Sequence, residues 1–485
     1  MEPLRILRLI ARLGTGFGLF ALLARNLFGQ RIASIIWLTW KAALRFRLFW
    51  VIAVLLIGSV VILPLVIKDD GTARGFTQIL LTYTLSVVTA LLGFSTLWLS
   101  CGTLARDIEE NQMQTVAVKP VARWQIWLGK WLGIVTLDAV LLAVAGLCVC
   151  VLLNWRAQKL PAAEQKILRE EIFVARGSIK EPQPDLEQQV EQVFRERTKE
   201  APVNNPAAAA AAKEIIRKGL ESMELKPNTM RRWTIDLGYR TALLRDQPLF
   251  VRVKFHAMST NMLGTFRMVL DVGSPESPRH DRQYLSLAGN SFHEIKIAPN
   301  LWDEKGVLTV NLENRDRIVM LVPNDEGFEI LYREGGFGLN FARALLIILF
   351  WLMLLAALGL AAASFLSFPV AAFVSASLMV VALSSGTLRS TVEAGSITGM
   401  NEETGETGKS VLDYVLIPVF KGLLYVFKLA EGFSPIDALS TGRSLEWMTV
   451  AAAFAKIVLL LGGVVALFGI VAFTRRELAA GNTHS

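Results

Sequence analysis

Long apolar stretches that carry at most one charged residue constrain this chain more than any other feature of its sequence. A helix needs roughly 20 apolar residues to cross the hydrocarbon core of a bilayer. Six stretches approach or exceed that length, at residues 49–67, 78–101, 131–155, 339–364, 370–388 and 449–474. Together with an apolar share of 53% of all residues, they predict an integral membrane protein with six transmembrane helices.

Basic residues near the N-terminus predict the orientation in the membrane. The formal net charge is +8, which in a soluble protein would suggest nucleic acid as a partner. Here the excess is concentrated in residues 1–50, which contain eight Arg or Lys residues and one Glu. Positive residues beside the first span favour the cytoplasmic side. We therefore expect a multi-pass protein of the cell (inner) membrane, with both termini cytoplasmic, a cytoplasmic tail at 475–485 and no nucleic-acid partner.

Residues 1–48 are expected to form a cytoplasmic segment that ends in an interfacial helix. The apolar run at 13–24 is too short to span a membrane. It is open to two interpretations, a cleaved signal-peptide core or an uncleaved interfacial segment, and we prefer the second. In residues 31–46, apolar residues recur at helical spacing between basic ones, which predicts an amphipathic helix in the membrane surface.

The first three spans fall within 49–155, and the polar segment 156–338 that follows is expected to be an exported domain. Apolar residues at helical spacing predict a helical stalk at 156–228. From 229 to 335 the apolar period changes to two between turn residues, which predicts an antiparallel β-sandwich. The predicted fold class is therefore an α-helical integral membrane protein with six transmembrane helices and an exported α+β insertion between the third and fourth spans.

The C-terminal membrane region, 339–474, holds the fourth to sixth spans. It contains a tight interior turn at 365–369 and a second exported loop at 389–448. Within that loop, the apolar stretch 414–429 is too short and too charged to be a span. We expect it to form an interfacial helix on the outer face, ended by Pro435.

The cytoplasmic loop between the second and third spans, 102–130, is polar at first and amphipathic later. The acidic residues Asp107, Glu109 and Glu110 suit the N-terminus of a helix, where the helix dipole is positive. A proline at position 120 then breaks or restarts the helix. The basic and aromatic residues of the loop are of the kind that anchors a helix at the lipid interface. The predicted anchors are Arg106, Lys119, Arg123, Trp124, Trp127 and Lys130.

The order of residues in this loop resembles that of type-2 ABC transporter permeases. The residues that carry the resemblance are Arg106-Asp107-x-Glu109-Glu110, Lys119-Pro120-Val121-x-Arg123 and Gly129-Lys130. In that family the loop carries a coupling helix that sits in a groove of the ATP-hydrolysing partner, and an elbow helix precedes the first of six spans. The resemblance implies that this chain is the permease subunit of an exporter. The large exported insertion departs from the simplest members of the family and leaves the substrate class open.

The resemblance also implies which partners the chain needs. A separate cytoplasmic ABC ATPase would contact Glu109, Glu110, Met113, Gln114 and Val116. ATP and Mg would bind to that ATPase, whereas this chain would bind no cofactor and have no enzymatic activity of its own. A second copy of the chain, or a related permease, would complete the substrate path as a dimer in the lipid bilayer.

Two alternatives belong to other classes of protein. The basic residues Arg106, Lys119 and Arg123 could hold phospholipid headgroups instead of marking a coupling loop. The whole chain could instead be a membrane-anchored binding or assembly protein, whose exported β-sandwich recognises a glycan or a partner protein. On that hypothesis the spans are an anchor and the loop is incidental.

Asp138 is the one acidic residue within the predicted spans, and it lies in the third of them. A carboxylate at mid-helix costs about 2.5–3.5 kcal/mol and is a candidate functional residue. The simpler interpretation is an aspartate that snorkels or meets water near the interface. An intramembrane enzyme would depend on this residue alone.

The sequence contains no complete motif for nucleotide binding, metal binding or a disulfide framework. The segment GETGKS at 405–410 invites a phosphate-loop interpretation, but the first glycine of that motif is replaced by Glu403. The four histidines show no metal-ligand spacing, and the three cysteines provide no disulfide framework for the exported segment.

Overall fold

The structure, a computed structural model, describes residues 29–45, 47–66, 73–110, 121–158, 161–168, 173–181, 186–200, 212–213, 216–217, 222–258, 264–273, 280–324, 327–383, 392, 413–430 and 433–476. The chain divides into two compact units. A helical unit comprises Met1–Phe173 and Phe337–Ser485, and a β unit comprises Val174–Gly336.

The helices of the described residues follow one another in this order: α1 Gly29–Arg45, α2 Arg47–Val66, α3 Ala73–Glu109, α4 Arg123–Ala157, α5 Ala162–Ile167, α6 Leu186–Glu200, α7 Thr241–Leu244, α8 Phe337–Ala363, α9 Phe368–Leu383, α10 Asp413–Ala430, α11 Pro435–Ser440 and α12 Trp447–Arg475. Helices α6 and α7 belong to the β unit and the others to the helical unit. Within α12, residues Phe454–Gly462 are π-helical.

Four of these helices, α3, α4, α8 and α12, are long and apolar enough to cross a membrane. They confirm the helices predicted for the second, third, fourth and sixth spans. The first predicted span corresponds to α2. It is long and apolar enough to cross a membrane only if it is taken together with α1, from which it is separated by a bend of 76°. The described part of α9 has 16 residues, fewer than a span needs. The remainder of the predicted fifth span, at 384–388, lies outside the described residues.

The loop between α3 and α4 is shorter than the sequence predicts, because both helices extend into it. Asp107 and Glu109 lie in the last turn of α3, so the prediction that these acids begin a helix is wrong. The reason is packing: Leu104 and Ala105 are buried and continue the apolar face of α3 beyond the predicted end of the span. A carboxylate at the negative end of a helix dipole costs about 0.3–1 kcal/mol of stability. The free energy gained by burying this extra turn is larger than that cost.

The segments around the fourth to sixth spans agree with the sequence in part. Helices α8 and α9 are separated by the short turn at 364–367, as expected. A helix also covers the apolar stretch 414–429, although Pro435 begins α11 and does not end α10. Proline suits the first turn of a helix, where its missing N–H would have no helical partner. The GETGKS segment lies outside the described residues.

The β unit is built from antiparallel strands, as predicted. Its strands are β1 Val174–Ile179, β2 Ser222–Leu225, β3 Met230–Asp236, β4 Leu249–Lys254, β5 His256–Ala257, β6 Thr265–Val272, β7 Asp281–Ala288, β8 Phe292–Ile297, β9 Val307–Asn314, β10 Met320–Pro323 and β11 Phe328–Gly336. They form sheets of order β1-β11-β4-β8, β3-β9-β6-β7 and β2-β10-β5. One apolar core joins the two larger sheets, and across it the rings of Trp233 and Phe328 stack with centroids 4.2 Å apart.

The prediction that 156–228 is only a helical stalk is wrong. Helices α5 and α6 lie there, but so do strands β1 and β2. Strand β1 pairs with β11 and β2 pairs with β10, so the β unit begins at Val174 and not at residue 229. A side chain at Gly177 in β1 would displace the ring of Tyr332 on the neighbouring strand, because a Cβ there would lie 2.4 Å from its Cζ.

Candidate functional site

Helix α3 ends and α4 begins at one end of the helical unit, which we call the loop end. The predicted coupling residues Met113, Gln114 and Val116 and the predicted anchor Lys119 lie outside the described residues. The described part of the loop end consists of the last turn of α3, the first two turns of α4 and the helices that these turns contact.

A partly buried ion pair joins α3 to α4 at the loop end. Nζ of Lys130 lies 2.5 Å from Oδ2 of Asp107 and 2.8 Å from the carbonyl oxygen of Thr103. The side chain of Lys130 is 9% exposed and that of Asp107 is 31% exposed. The prediction that Lys130 anchors the helix in the interface is therefore wrong. Its ammonium instead holds two neighbouring helices together.

Trp127 is also wrongly predicted as an interfacial anchor. It is fully buried, and its indole Nε1 has no hydrogen-bond partner among the described residues. The same nitrogen lies 3.1 Å from the position that a Cβ on Gly469 of α12 would take, so α4 and α12 are in close contact there. Trp124, one turn earlier, is 48% exposed. An interfacial position for Trp124 stays a prediction.

Arg123 fastens the start of α4 to the end of α12. Its Nη1 donates to the carbonyl oxygens of Phe473, Thr474 and Arg476, at 3.2, 2.6 and 2.8 Å. Phe473 and Thr474 lie in the last turn of α12, where carbonyls lack helical N–H partners, and Arg476 follows the helix directly. A cation at this C-terminus also interacts favourably with the helix dipole. Nη1 of Arg476 in turn donates to the carbonyls of Ala363, the last residue of α8, and of Ser364, which follows it. Arg123 thus has a structural role at the junction of three helices.

Glu109 joins the end of α3 to the start of α9. Its Oε1 accepts the backbone N–H of Phe368 at 2.8 Å, at the helix terminus where a carboxylate is favoured. The guanidinium of Arg106 lies over the ring of Phe368, 4.5 Å from its centroid. Glu110 is exposed and is the last described residue before 111–120. Glu109, which is predicted to contact the ATPase, therefore also has a partner within the chain.

Helix α1 packs on the first half of α4 through two glycines four residues apart. A Cβ on Gly129 would lie 2.8 Å from Cβ of Ile35, and one on Gly133 would lie 2.8 Å from Cβ of Thr39. The Nε1 of Trp40 donates to the carbonyl of Gly133 and to Oγ1 of Thr136, at 3.0 and 2.9 Å. Small residues at this spacing allow helices in membranes to approach closely. The helix expected before the first span is thus present, and it is attached directly to the loop end.

Asp138 lies in the middle of α4 and is buried, with 1% of its surface exposed. Oγ1 of Thr96 on α3 lies 2.9 Å from its Oδ2 and 2.7 Å from the carbonyl oxygen of Leu92. The simpler interpretation, an aspartate that snorkels or meets water, is therefore wrong. The carboxyl group faces a neighbouring helix, and its hydrogen-bond partner is the hydroxyl of Thr96.

We expect opposite outcomes when each partner of this contact is made apolar. Replacing Thr96 with valine should lower the unfolding free energy by about 1–2 kcal/mol, because the carboxyl group loses its described partner inside the bundle. Replacing Asp138 with leucine should leave stability unchanged or raise it, because the Thr96 hydroxyl keeps the carbonyl of Leu92. Thermal unfolding in detergent measures both. Equal destabilisation by the two variants would mean that Asp138 makes a further essential contact.

Several of these contacts were not predicted from the sequence, although one of them had a recognisable pattern. Gly129 and Gly133 have the spacing of a helix-packing pair inside an apolar stretch, which was a usable signal. The bonds of Glu109 to Phe368 and of Arg123 to the end of α12 join residues far apart in the chain, which one sequence does not reveal. Within the described ranges, no three His, Cys, Asp or Glu residues lie close enough to hold a metal ion.

The loop end thus brings together a polar set of residues from α3 and α4 and ties it to α1, α8, α9 and α12. Such an arrangement can transmit a displacement of the loop to most of the helical unit, because the ends of the helices are bonded to one another. Comparison of the chain with protein-family models, with curated proteins and with solved structures finds no match. The function is therefore inferred from the residues and contacts of this chain alone.

Proposed function

We propose that this chain is the membrane-spanning permease subunit of an ATP-driven exporter of the type-2 ABC class. It would form the substrate path as a dimer, with a second copy or a related permease, in the cell inner membrane. A separate cytoplasmic ATPase would act on the loop at 102–130. One observation carries the proposal: the two helices that flank this loop are joined by the Lys130–Asp107 pair and are bonded to α1, α9 and α12 at the same end.

The contacts support a mechanical route from the loop to the spans. ATP and Mg would bind to the ATPase, and closure of the ATPase pair would displace residues 111–120. The Lys130–Asp107 pair would make the ends of α3 and α4 move together. Glu109 would pass the movement to α9, and Arg123 would pass it to α12. A displacement changes the conformation only if the partner binds the two conformations with different affinity.

Six spans and two cytoplasmic termini belong to this proposal. In it, α2 and α9 complete the set of six, and the β unit is exported. The partner contacts are Glu110, Met113, Gln114 and Val116, together with Glu109, which also positions α9. This chain would supply the path and the coupling loop but no catalytic group.

The test is co-purification of the tagged chain from native membranes, with identification of the bound proteins. We expect an ATPase among them. Replacing Glu110 with lysine should reduce its recovery about fivefold, because an exposed charge at the rim of an interface contributes about 1 kcal/mol. Deleting residues 111–118 should remove the ATPase completely.

The matched control is Glu304→Lys, which makes the same charge reversal at an exposed residue of the β unit. It should leave ATPase recovery unchanged. Wild-type recovery of the ATPase after deletion of 111–118 would overturn coupling through this loop. A chain that purifies without any ATPase would favour the alternative, a membrane-anchored binding protein.

A row of polar side chains in the β unit favours that alternative function. Arg232, Asn311, Asp271 and Arg282 are direct neighbours across β3, β9, β6 and β7. Arg232 Nε donates to Oδ1 of the buried Asn311 at 3.0 Å, and Oδ1 of Asp271 is itself buried and has no hydrogen-bond partner among the described residues. Tyr284, beside this row, is 77% exposed. Planar polar groups beside an exposed aromatic ring suit a glycan, whose hydroxyls donate and accept hydrogen bonds. Binding of the purified chain to a glycan array, lost in Asp271→Ala, would support this function.

A further inference from the structure

We propose that Asp138 is a proton-binding site inside the membrane, whose carboxyl group holds a proton and donates it in a hydrogen bond to Thr96. The two residues lie on α4 and α3, the helices that flank the loop at 102–130. Their surfaces are 1% and 0% exposed. The proposal does not depend on the transport function, because a membrane anchor would bind a proton there in the same way.

The hydroxyl group of Thr96 has one hydrogen and two oxygen neighbours. Its Oγ1 lies 2.7 Å from the carbonyl oxygen of Leu92 and 2.9 Å from Oδ2 of Asp138. One O–H group can donate fully to only one of these oxygens. If it donates across the shorter contact, to Leu92, then Oγ1 directs a lone pair towards Oδ2. Only a protonated carboxyl group can then complete the second hydrogen bond.

Other threonines of the helical unit show where the hydrogen of such a hydroxyl group lies. Oγ1 of Thr39, of Thr136 and of Thr474 donates to the carbonyl oxygen four residues earlier, at 2.9, 2.8 and 2.7 Å. This bond is a usual one for a threonine inside a helix. We therefore assign the hydrogen of Thr96 to the carbonyl of Leu92, which leaves its lone pair as the acceptor for Asp138.

The charged groups around Asp138 do not neutralise it. Charged side chains that the structure describes on the neighbouring helices are Arg31, Lys41 and Arg45 on α1, Arg106, Asp107 and Glu109 on α3, Arg343 on α8, and Lys456 and Arg475 on α12, and none of them is bonded to Asp138. On α4 itself, Lys130 is eight residues away, which is about 12 Å along the helix. Its ammonium is already paired with Asp107.

An ionised carboxylate at this place would be costly. In water at pH 7 an aspartic acid is protonated only about one time in a thousand. An isolated carboxylate moved into a low-dielectric interior is disfavoured by a larger factor than this, and it takes up a proton instead. One hydroxyl group does not compensate for the lost hydration of an ion, so the neutral acid is the stable form.

The bound proton joins α3 to α4 at mid-span, as the Lys130–Asp107 pair joins them at the loop end. If the two helices separated and water reached Asp138, the carboxyl group would ionise and its proton would pass to water. Closure of α3 on α4 and binding of one proton are therefore linked equilibria.

Infrared spectroscopy of the purified full-length chain in detergent at pH 7 tests the proposal, because the C=O stretch of a protonated carboxyl group absorbs apart from the bands of a carboxylate. The difference between the wild type and Asp138→Asn should contain the band of one protonated carboxyl group. Thr96→Val should keep this band but shift it, because the carboxyl group loses its hydrogen-bond acceptor. The matched control Asp303→Asn, the same change at an exposed aspartate of the β unit, should remove no such band.

Thermal unfolding in detergent gives a second readout. Asp138→Asn should unfold at the wild-type temperature, because the amide Nδ2 donates to Oγ1 of Thr96 in place of the carboxyl O–H. A difference spectrum without a protonated-carboxyl band, or a marked loss of stability in Asp138→Asn, would overturn the proposal. An unshifted band in Thr96→Val would overturn the assignment of Thr96 as the acceptor.

Discussion

Replacing Asp107 with alanine is expected to destabilise the helical unit by about 3 kcal/mol, more than the reciprocal change Lys130→Met. The difference follows from exposure. Without Asp107, the ammonium of Lys130 stays in a site where its side chain is 9% exposed and keeps only the carbonyl of Thr103. Without Lys130, the carboxylate of Asp107 is still 31% exposed and can bind water, so the loss should be less than half as large.

The double variant Asp107→Ala/Lys130→Met should recover most of the lost stability, because no buried charge then lacks a partner. Thermal unfolding in detergent should therefore rank Asp107→Ala as the least stable of the three variants. A larger loss in Lys130→Met would mean that the ammonium stabilises α3 mainly through Thr103. The double variant would also be folded but without the bond between α3 and α4, and under the proposed function it should show weaker coupling to the ATPase.

The helices of the membrane region could be predicted because their signal is local. An uncharged stretch of about 20 residues has few alternatives to a helix, since backbone groups in hydrocarbon must be satisfied within the segment. The ends of the helices could not be predicted in the same way. Leu104 and Ala105 prolong α3 because other helices cover them, and that burial depends on tertiary contacts.

The predicted interfacial anchors of α4 also depend on tertiary contacts that the sequence does not reveal. A tryptophan and a lysine near the end of a span are typical of the interface, and Trp124 remains in agreement with that rule. Trp127 and Lys130 are also residues of the types found at the interface, but they are buried, because both face neighbouring helices. Which face of α4 meets α3 and α12 is decided by residues far away in the chain, such as Asp107 and Gly469.

In the β unit, the strands with alternating polar and apolar residues could be predicted from the sequence, but the first strand, β1, could not. Arg176 in β1 is buried and bonded to Glu294 on β8 at 2.7 Å, and Arg252 in β4 is bonded to Glu329 on β11 at 3.2 Å. Both arginines are less than a tenth exposed. A short strand with a buried arginine and a glycine lacks the polar and apolar alternation that identifies a half-buried strand.

Residues 174–336, expressed alone, are expected to fold, and Val253→Asp is expected to unfold them. Val253 is fully buried in the core between the two larger sheets, in register with Phe328 on β11 and His293 on β8. A carboxylate there would have no cationic partner, which costs several kcal/mol. A domain of this size is stable by only about 5–15 kcal/mol, so this one change removes most or all of its stability.

The matched control is Ser286→Asp, which introduces the same carboxylate at an exposed position of β7 opposite Arg267. It should leave stability within about 0.5 kcal/mol of the wild type. The shorter fragment 229–335 should be less stable than 174–336, because it lacks β1 and β2 and so exposes the edges of β11 and β10. Far-UV circular dichroism with urea unfolding compares all four proteins. A stable, folded Val253→Asp variant would show that the interior of the two-sheet core tolerates a charge and that β4 is not held in the register described here.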